Sequence, residues 1–501
     1  MDHDHREKFT SSHYQLVFMW RRHYQVPLEL RRAMCLALGI KRQLIAAVAC
    51  ALATLVGGMI NGWPAPTLKK LRQPGSPIHL TTEQETWLVT ALHIGTLLSP
   101  FPAGFMMNKL GRKASLLALG VLPVISFGLI YFSTTPEMLI LARLFAGLWI
   151  GGSHTVVPIY IAEISEPEVR GILSALNQVL SFLGNILIYA VGPYVSIRST
   201  AVFCGAVAVI FLVLFASCPE SPYFHIMRGH PQRAVSSLIW LRGGPPTPAE
   251  LGAIRGYLAA RGGHGWRRIT DLLTTPENRK AFVIVEVLSG LDRLSGISCM
   301  KAFSSVVLPA HLGPLTSDHC TLIVSMVWMV SSMVCTALID KTGRKPLLYI
   351  SSFGVAVSMF WTGMWYFLSS QTHIDVSSFS WLPLAGFLVY GCAFSVGWAP
   401  ITHTFQGELF PSHLKEQASA MTTIVTALTA SFSTFMFGMV TKRVGVYANF
   451  LWFSVVGVVN LIFVYVYVIE TKGRTLEEIQ AELKGKKREE PVVGASIDSI
   501  S

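Results

Sequence analysis

About twelve stretches of this chain are apolar enough, and long enough, to cross a hydrocarbon layer ~30 Å thick, which leaves few folds open to it. They run over 43–63, 87–107, 114–133, 137–161, 171–192 and 199–218, and after an interruption over 281–307, 319–339, 346–369, 381–405, 417–440 and 446–468. In lipid an unpaired backbone amide costs several kcal/mol, so a spanning segment must be a helix or part of a closed barrel. These runs are too long and too evenly apolar for barrel strands. The expected fold class is an all-α membrane protein of twelve transmembrane helices.

Composition agrees. Only 14% of the 501 residues are charged, against ~25% in soluble domains, while 51% are hydrophobic. The net charge of +12 falls in loops and tails rather than on a basic stripe, which argues against a nucleic-acid partner. The eight cysteines are dispersed with no CxxC pair, and the fifteen histidines show no HExxH spacing, so no metal or cofactor is expected. No Walker loop, dinucleotide fingerprint or Ser-His-Asp context appears, so the chain does not read as an enzyme, and no obligate protein partner is evident. The partners expected are the lipid bilayer and a small solute.

Basic residues set the expected topology. Arg21, Arg22, Arg31, Arg32, Lys41 and Arg42 precede the first span, which has no signal-peptide pattern before it. Nine more lysines and arginines lie between 223 and 280, and Lys484, Lys486, Lys487 and Arg488 follow the twelfth span. Both termini and the central segment therefore read as cytoplasmic, with Lys69, Lys70 and Arg72 an external exception. The chain divides into a cytoplasmic segment 1–42, six helices over 43–218, a linker with short helices over 219–280, six helices over 281–469, and a tail 470–501.

Motifs recur at equivalent places in the two halves. Asn108-Lys-Leu-Gly-Arg-Lys113 follows the second span, and Asp340-Lys-Thr-Gly-Arg-Lys345 the eighth. Glu163 stands seven before Arg170 after the fourth span, and Glu408 seven before Lys415 after the tenth. A duplicated six-helix unit explains the shared order, so the twelve helices should form two pseudo-symmetric bundles.

These motifs, with Arg143 and Gly147, Pro158-Ile-Tyr-Ile-Ala-Glu163, Pro219-Glu-Ser-Pro222, Gly407-Glu-Leu-Phe-Pro411 and Glu470-Thr-Lys-Gly-Arg474, resemble those of the sugar porters of the major facilitator superfamily. Within that family the chain is most similar to the animal facilitative branch, including the facilitated trehalose transporters of insects. The resemblance implies two bundles rocking about a midplane site, with charges at the bundle ends biasing the two states. It assigns the gating charges to Arg112, Arg143, Glu163, Arg170, Glu220, Asp340, Arg344, Glu408, Lys415 and Glu470. Asn108 for Asp, Lys415 for Arg and Tyr223 for Arg depart from the family pattern.

A polyol pathway needs uncharged hydrogen-bonding groups facing a wet cavity. Ser174, Gln178, Ser181 and Asn185, spaced four, three and four apart, share one face of the fifth span. They read as pathway residues ahead of helix-to-helix glue, and Gln178 matches the family's sugar-binding glutamine. The similar row Thr422, Thr426, Thr429 and Ser433 in the eleventh span reads as packing. Gly397 and Pro400 should weaken the tenth span near its midplane. Residues 43–63 hold no Asp, Glu or Lys, whereas related proton-driven porters place a carboxylate there. Passive uniport of a hexose or trehalose-like sugar across the plasma membrane is therefore expected. His93 and His403 read as neutral, hydrogen-bonded residues.

The seventh span departs most from the family. Glu286, Asp292, Arg293 and Lys301 place four ionisable groups in it, and Asp292 and Arg293 replace the family's paired glutamines. Ser298 replaces an asparagine, and His403 stands for the tryptophan of the tenth span. Charges cost several kcal/mol in lipid unless paired or hydrated. Two acids facing two bases could cancel locally, with Glu286 and Arg293 two turns apart on one face. The group is either a structural pairing or a charged-substrate site. The candidate substrate contacts are thus Gln178, Ser181, Asn185, Asp292, Arg293, Ser298 and His403. A carrier of a non-sugar or charged solute, or a sugar sensor without transport, stays open beside the uniporter.

Overall fold

The computed structural model describes residues 28–76, 78–260, 272–411, 414–474 and 476–484; the side chains of 28–37, Arg170, Ser174 and Asp340, among others, lie outside the described set. The first half runs α1 (Leu28–Gly62), α2 (Pro64–Leu71), α3 (Thr82–Leu98), α4 (Pro100–Leu110), α5 (Arg112–Leu119), α6 (Val121–Phe132), α7 (Pro136–Ile164), α8 (Pro167–Val191) and α9 (Ile197–Ala216). Three short helices follow, α10 (Pro222–Met227), α11 (Pro231–Arg242) and α12 (Pro248–Ala260). The second half holds α13 (Pro276–Leu294), α14 (Ile297–Val307), a two-residue hairpin pairing His311–Leu312 with Leu315–Thr316, α15 (Ser317–Thr342) and α16 (Arg344–Gln371). It ends with α17 (Leu382–Ala393), a π turn over Phe394–Trp398, α18 (Ala399–Glu408), α19 (Lys415–Arg443), α20 (Val446–Tyr467) and α21 (Leu476–Leu483).

Among the described residues ten helices are long and apolar enough to cross a membrane, and eleven if α3 and α4, bent by 41°, form one broken span. The twelfth expected span is α13 with α14. It fails as one apolar helix because it breaks at Ser295–Gly296 and carries the four charges. Gly296 has φ +92°, and a Cβ there would meet the Phe453 ring at 2.4 Å, so both conformation and space demand glycine.

Proline breaks other spans, and in two of them the freed carbonyl finds a substitute donor. The first span outruns its sequence boundary by continuing through Pro64 into α2. Pro64 has no N–H to return to Ile60, and the Arg143 guanidinium donates to that carbonyl at 2.8 Å. In the tenth span Pro400 leaves the Val396 carbonyl free, and the Cys335 thiol donates to it at 2.7 Å. The expected weakness at Gly397 and Pro400 takes the form of the π turn, which contains Gly397 and ends two residues before Pro400.

Glycines let the first-half helices touch backbone to backbone. A Cβ on Gly58 would lie 2.0 Å from the Ser181 carbonyl oxygen, and one on Gly184 would lie 2.1 Å from that of Leu55, so α1 and α8 cross at van der Waals contact. Gly95 and Gly147 do the same for α3 and α7.

Candidate functional site

The bundle ends repeat one arrangement twice. Gly111, at φ +101°, turns the chain into α5, and the Glu220 carboxylate accepts the backbone amides of Arg112 and Lys113 at 2.9 and 3.0 Å. It caps in trans a helix start whose amides have no intrahelical partner. Gly343, at φ +94°, starts α16, and Glu470 accepts the amides of Arg344 and Lys345 at 3.0 and 2.9 Å. The Arg112 guanidinium meets Glu163 at 2.8 Å, and that of Arg344 meets Glu408 at 2.7 Å. Ser221 donates to the other oxygen of Glu163, as Thr471 does to Glu408. Sequence reasoning missed these two hydroxyls, although the shared order, a glutamate followed by a small hydroxyl residue, was visible in it.

Partial burial pushes the Glu470 carboxyl upward, but the amides of Arg344, Lys472, Lys345 and Thr471 outweigh it and hold the group below its ordinary value. Lys415 lies near Glu408, with burial lowering its ammonium and the carboxylate partly offsetting that. Arg228 donates to the Asn108 and Lys109 carbonyls at 2.8 and 2.9 Å, closing the end of α4, and lies over the Phe224 ring. The side chains of Arg170 and Asp340 fall outside the described set. Arg143, grouped with these charges on sequence, does not join them. It sits 20 residues before Glu163 on α7, about 30 Å away along the helix, over the Trp63 ring and bound to Ile60.

At the opposite end hydrogen bonds cross between the halves. Lys69 on α2 reaches Ser317 and Asp318 on α15 at 2.8 and 2.5 Å, and the Tyr194 hydroxyl meets His319 at 3.0 Å. Nearer the middle, the Tyr189 hydroxyl donates to the Lys301 carbonyl at 3.0 Å. Lys69 thus clasps the two halves, whereas Lys70 donates to the Gly192 and Val195 carbonyls within the first half.

Between the halves lies the candidate site. Phe182, Asn185 and Tyr189 on α8 line one cavity with Lys301, Ser304 and Trp328. Gln178 is one turn before Phe182 and two before Asn185 on the same face, and it is exposed in the middle of the helix. It therefore faces the space between the halves. Ser181 lies toward α1, its carbonyl against Gly58 and accepting from Asn185 at 2.9 Å. The predicted row is thus split between a cavity face and a packing face, and the Ser174 side chain is outside the described set.

His154 on α7 and His403 on α18 are also exposed to this space. Both are near enough to Arg293 to interact electrostatically, as is His93 on α3. Histidines from three helices and both halves thus converge on one arginine. His154 carried no motif in the sequence and was not singled out. Arg293 meets Asp292 at 3.2 Å, with 30% of the arginine side chain exposed against 7% of the aspartate. Ser298 is half-buried in the first turn of α14.

The expected cancellation between Glu286 and Arg293 does not occur. Thr422 donates to Glu286 at 2.7 Å, which ties the acid to α19 inside the second half. This is also the packing role expected of the eleventh-span row: Thr426 and Thr429 bond carbonyls of their own helix, and Ser433 meets the Cys299 thiol. The first-span segment remains without an acid, as the sequence requires.

The comparisons with known proteins agree with this architecture. The facilitated trehalose transporter Tret1 of Polypedilum vanderplanki is 29% identical over 464 residues, covering 92% of this chain and 92% of its own. That of Culex quinquefasciatus is 29% identical over 488 residues, covering 96% and 93%. Other curated relatives are longer, and the chain spans about half of them, 53% for the Drosophila willistoni protein. Among solved structures, the xylose transporter XylE of E. coli in a partially occluded inward open conformation aligns with a TM-score of 0.74 at 22% identity, covering 87% of this chain and all of that one. The form bound to 6-bromo-6-deoxy-D-glucose gives 0.71 at 23% identity. The fold is thus that of the major facilitator superfamily, with twelve helices. Residues 43–483 match the model for "Sugar (and other) transporter" proteins, so the chain belongs to that transporter family.

Proposed function

We propose that this protein is a facilitative transporter of a sugar-like polyol, working by alternating access between its two six-helix bundles, over 43–218 and 281–469. The observation that carries the reading is Gln178, exposed in mid-helix and turned toward the space between the halves. An amide in that position offers donors and an acceptor to sugar hydroxyls leaving water. Asn185, on the same face, lines the cavity, with its carbonyl oxygen buried toward Gly62 and accepting from no described residue. The relatives named as facilitated trehalose transporters support a downhill mode and a hexose or disaccharide substrate.

Under this reading the Arg112 and Arg344 end is cytoplasmic, with both termini beside it, and the Lys69 clasp closes the outer face of the plasma membrane. Arg112, Glu163, Glu220, Arg344, Glu408, Lys415 and Glu470 brace the inner ends of the helices and bias the two states without touching substrate. No catalytic step is required of any residue. Uptake of labelled glucose and trehalose into proteoliposomes tests the proposal: Gln178→Ala should reduce uptake at least about tenfold at low substrate. Uptake that survives unchanged would reduce the fifth-span face to packing. Transport that requires a proton gradient would overturn the uniport mode.

A further inference from the structure

The charge inventory of the central cavity offers more than hydroxyl recognition requires. With Glu286 withdrawn to Thr422, Asp292 is the acid that meets Arg293, while Arg293 and Lys301 both stand near it. One carboxylate against two cations leaves a positive charge even with every histidine neutral. Lys301 lies with its ammonium over the Phe182 ring, 5.7 Å from the centroid, with no carboxylate in salt-bridge range among the described residues. Arg293 engages Asp292 through Nε, and its two terminal nitrogens hydrogen-bond no described residue. A fork of unused donors, part-exposed and near His154 and His403, has the geometry of an anion seat. An isolated positive charge inside a membrane protein is costly and is stabilised by water or by a bound counter-ion.

We infer that the substrate of this cavity is a polyol bearing a single negative charge, such as a sugar carboxylate. Its anionic group sits on the terminal guanidinium nitrogens of Arg293 within the field of Lys301, and its hydroxyls meet Gln178 and Asn185. The inference rests on the carrier reading and narrows its substrate class. Because the substrate brings one charge through each cycle, its uptake must respond to membrane potential.

The test uses the full chain in proteoliposomes, with labelled D-glucuronate and D-glucose as probes under imposed potentials. Wild-type uptake of glucuronate should exceed that of glucose at least about tenfold at low concentration. An interior-positive potential should speed glucuronate and leave glucose unaffected. Arg293→Gln should cut the glucuronate-to-glucose ratio at least about tenfold, with Arg293→Lys retaining part of the preference. If Arg293→Gln does not fold, Lys301→Gln and the potential dependence of the wild type decide the matter. Glucose uptake that glucuronate neither competes with nor exceeds would overturn the inference and leave the carrier intact. Glucuronate that stabilises the detergent-solubilised protein without any flux would uphold the anion seat and overturn the carrier. Neither binding nor flux of either probe would overturn both.

Discussion

Thr422 donates its hydroxyl to Glu286 across 2.7 Å, and this bond ties one of the four seventh-span charges to the eleventh span. It holds the acid against α19, leaving Asp292 as the near acid for Arg293 and Lys301. The bond lies between buried groups, and the second oxygen of Glu286 has no partner among the described residues. Thr422→Val should therefore lower the unfolding free energy by about 1–3 kcal/mol, the cost of a buried acceptor left unmade. Glu286→Leu combined with Thr422→Val should lose less than the two single changes added together, a coupling that thermal melts of the four proteins in detergent would read.

Arg143 serves the carbonyl that Pro64 leaves free. Pro64→Ala supplies the missing amide, so Ile60 no longer needs the guanidinium. Arg143→Met should then cost at least about 1 kcal/mol less in the Pro64→Ala background than in the wild type. Equal costs in both backgrounds would break the link between the kink and the arginine.

Gly111 and Gly343 adopt left-handed backbone with a glutamate closing over them. A Cβ would lie 2.4 Å from a Glu220 oxygen at Gly111 and 2.9 Å from a Glu470 oxygen at Gly343. Both alanine variants should lose about 1–3 kcal/mol, Gly111→Ala the more, because strain and displacement of the cap add. Differential scanning fluorimetry on the purified variants would rank them.

Glu470 gives the second cap a defined pH response. Its carboxyl is held below the ordinary value, so the ionised form stabilises the folded protein. That contribution is fully present above the ordinary carboxylate range and is lost as pH falls through the lowered folded value. The wild-type melting temperature should therefore drop on acidification below about pH 4.3. Glu470→Gln should start lower and lose less over the same window.

The Lys69–Asp318 pair clasps the halves at the end proposed to face outward. Lys69 is 35% exposed, so screening limits what the pair contributes to about 1 kcal/mol or less. Asp318→Asn should raise the outward-open population by no more than about fivefold. Labelling of a cysteine introduced at Asn185 by an external, membrane-impermeant thiol reagent would report the change; unchanged labelling would remove the clasp from the gating scheme.

The sequence by itself determined that the chain is a set of apolar spans, and its repeated motifs marked Arg112, Glu163, Arg344 and Glu408 as charges at the helix ends without saying which would pair. Lipid makes helix formation nearly obligatory for an apolar run, and duplicated motifs report symmetry without knowledge of packing. It also determined the face of α8, because helical spacing is local. Only the tertiary structure decided how far that face belongs to the cavity, where Arg143 goes, and which acid meets which base. Residues seven apart on a helix share a face, yet Glu286 turns to Thr422, 136 positions away. Partners so distant in the chain are chosen by how helices pack, which local spacing does not encode.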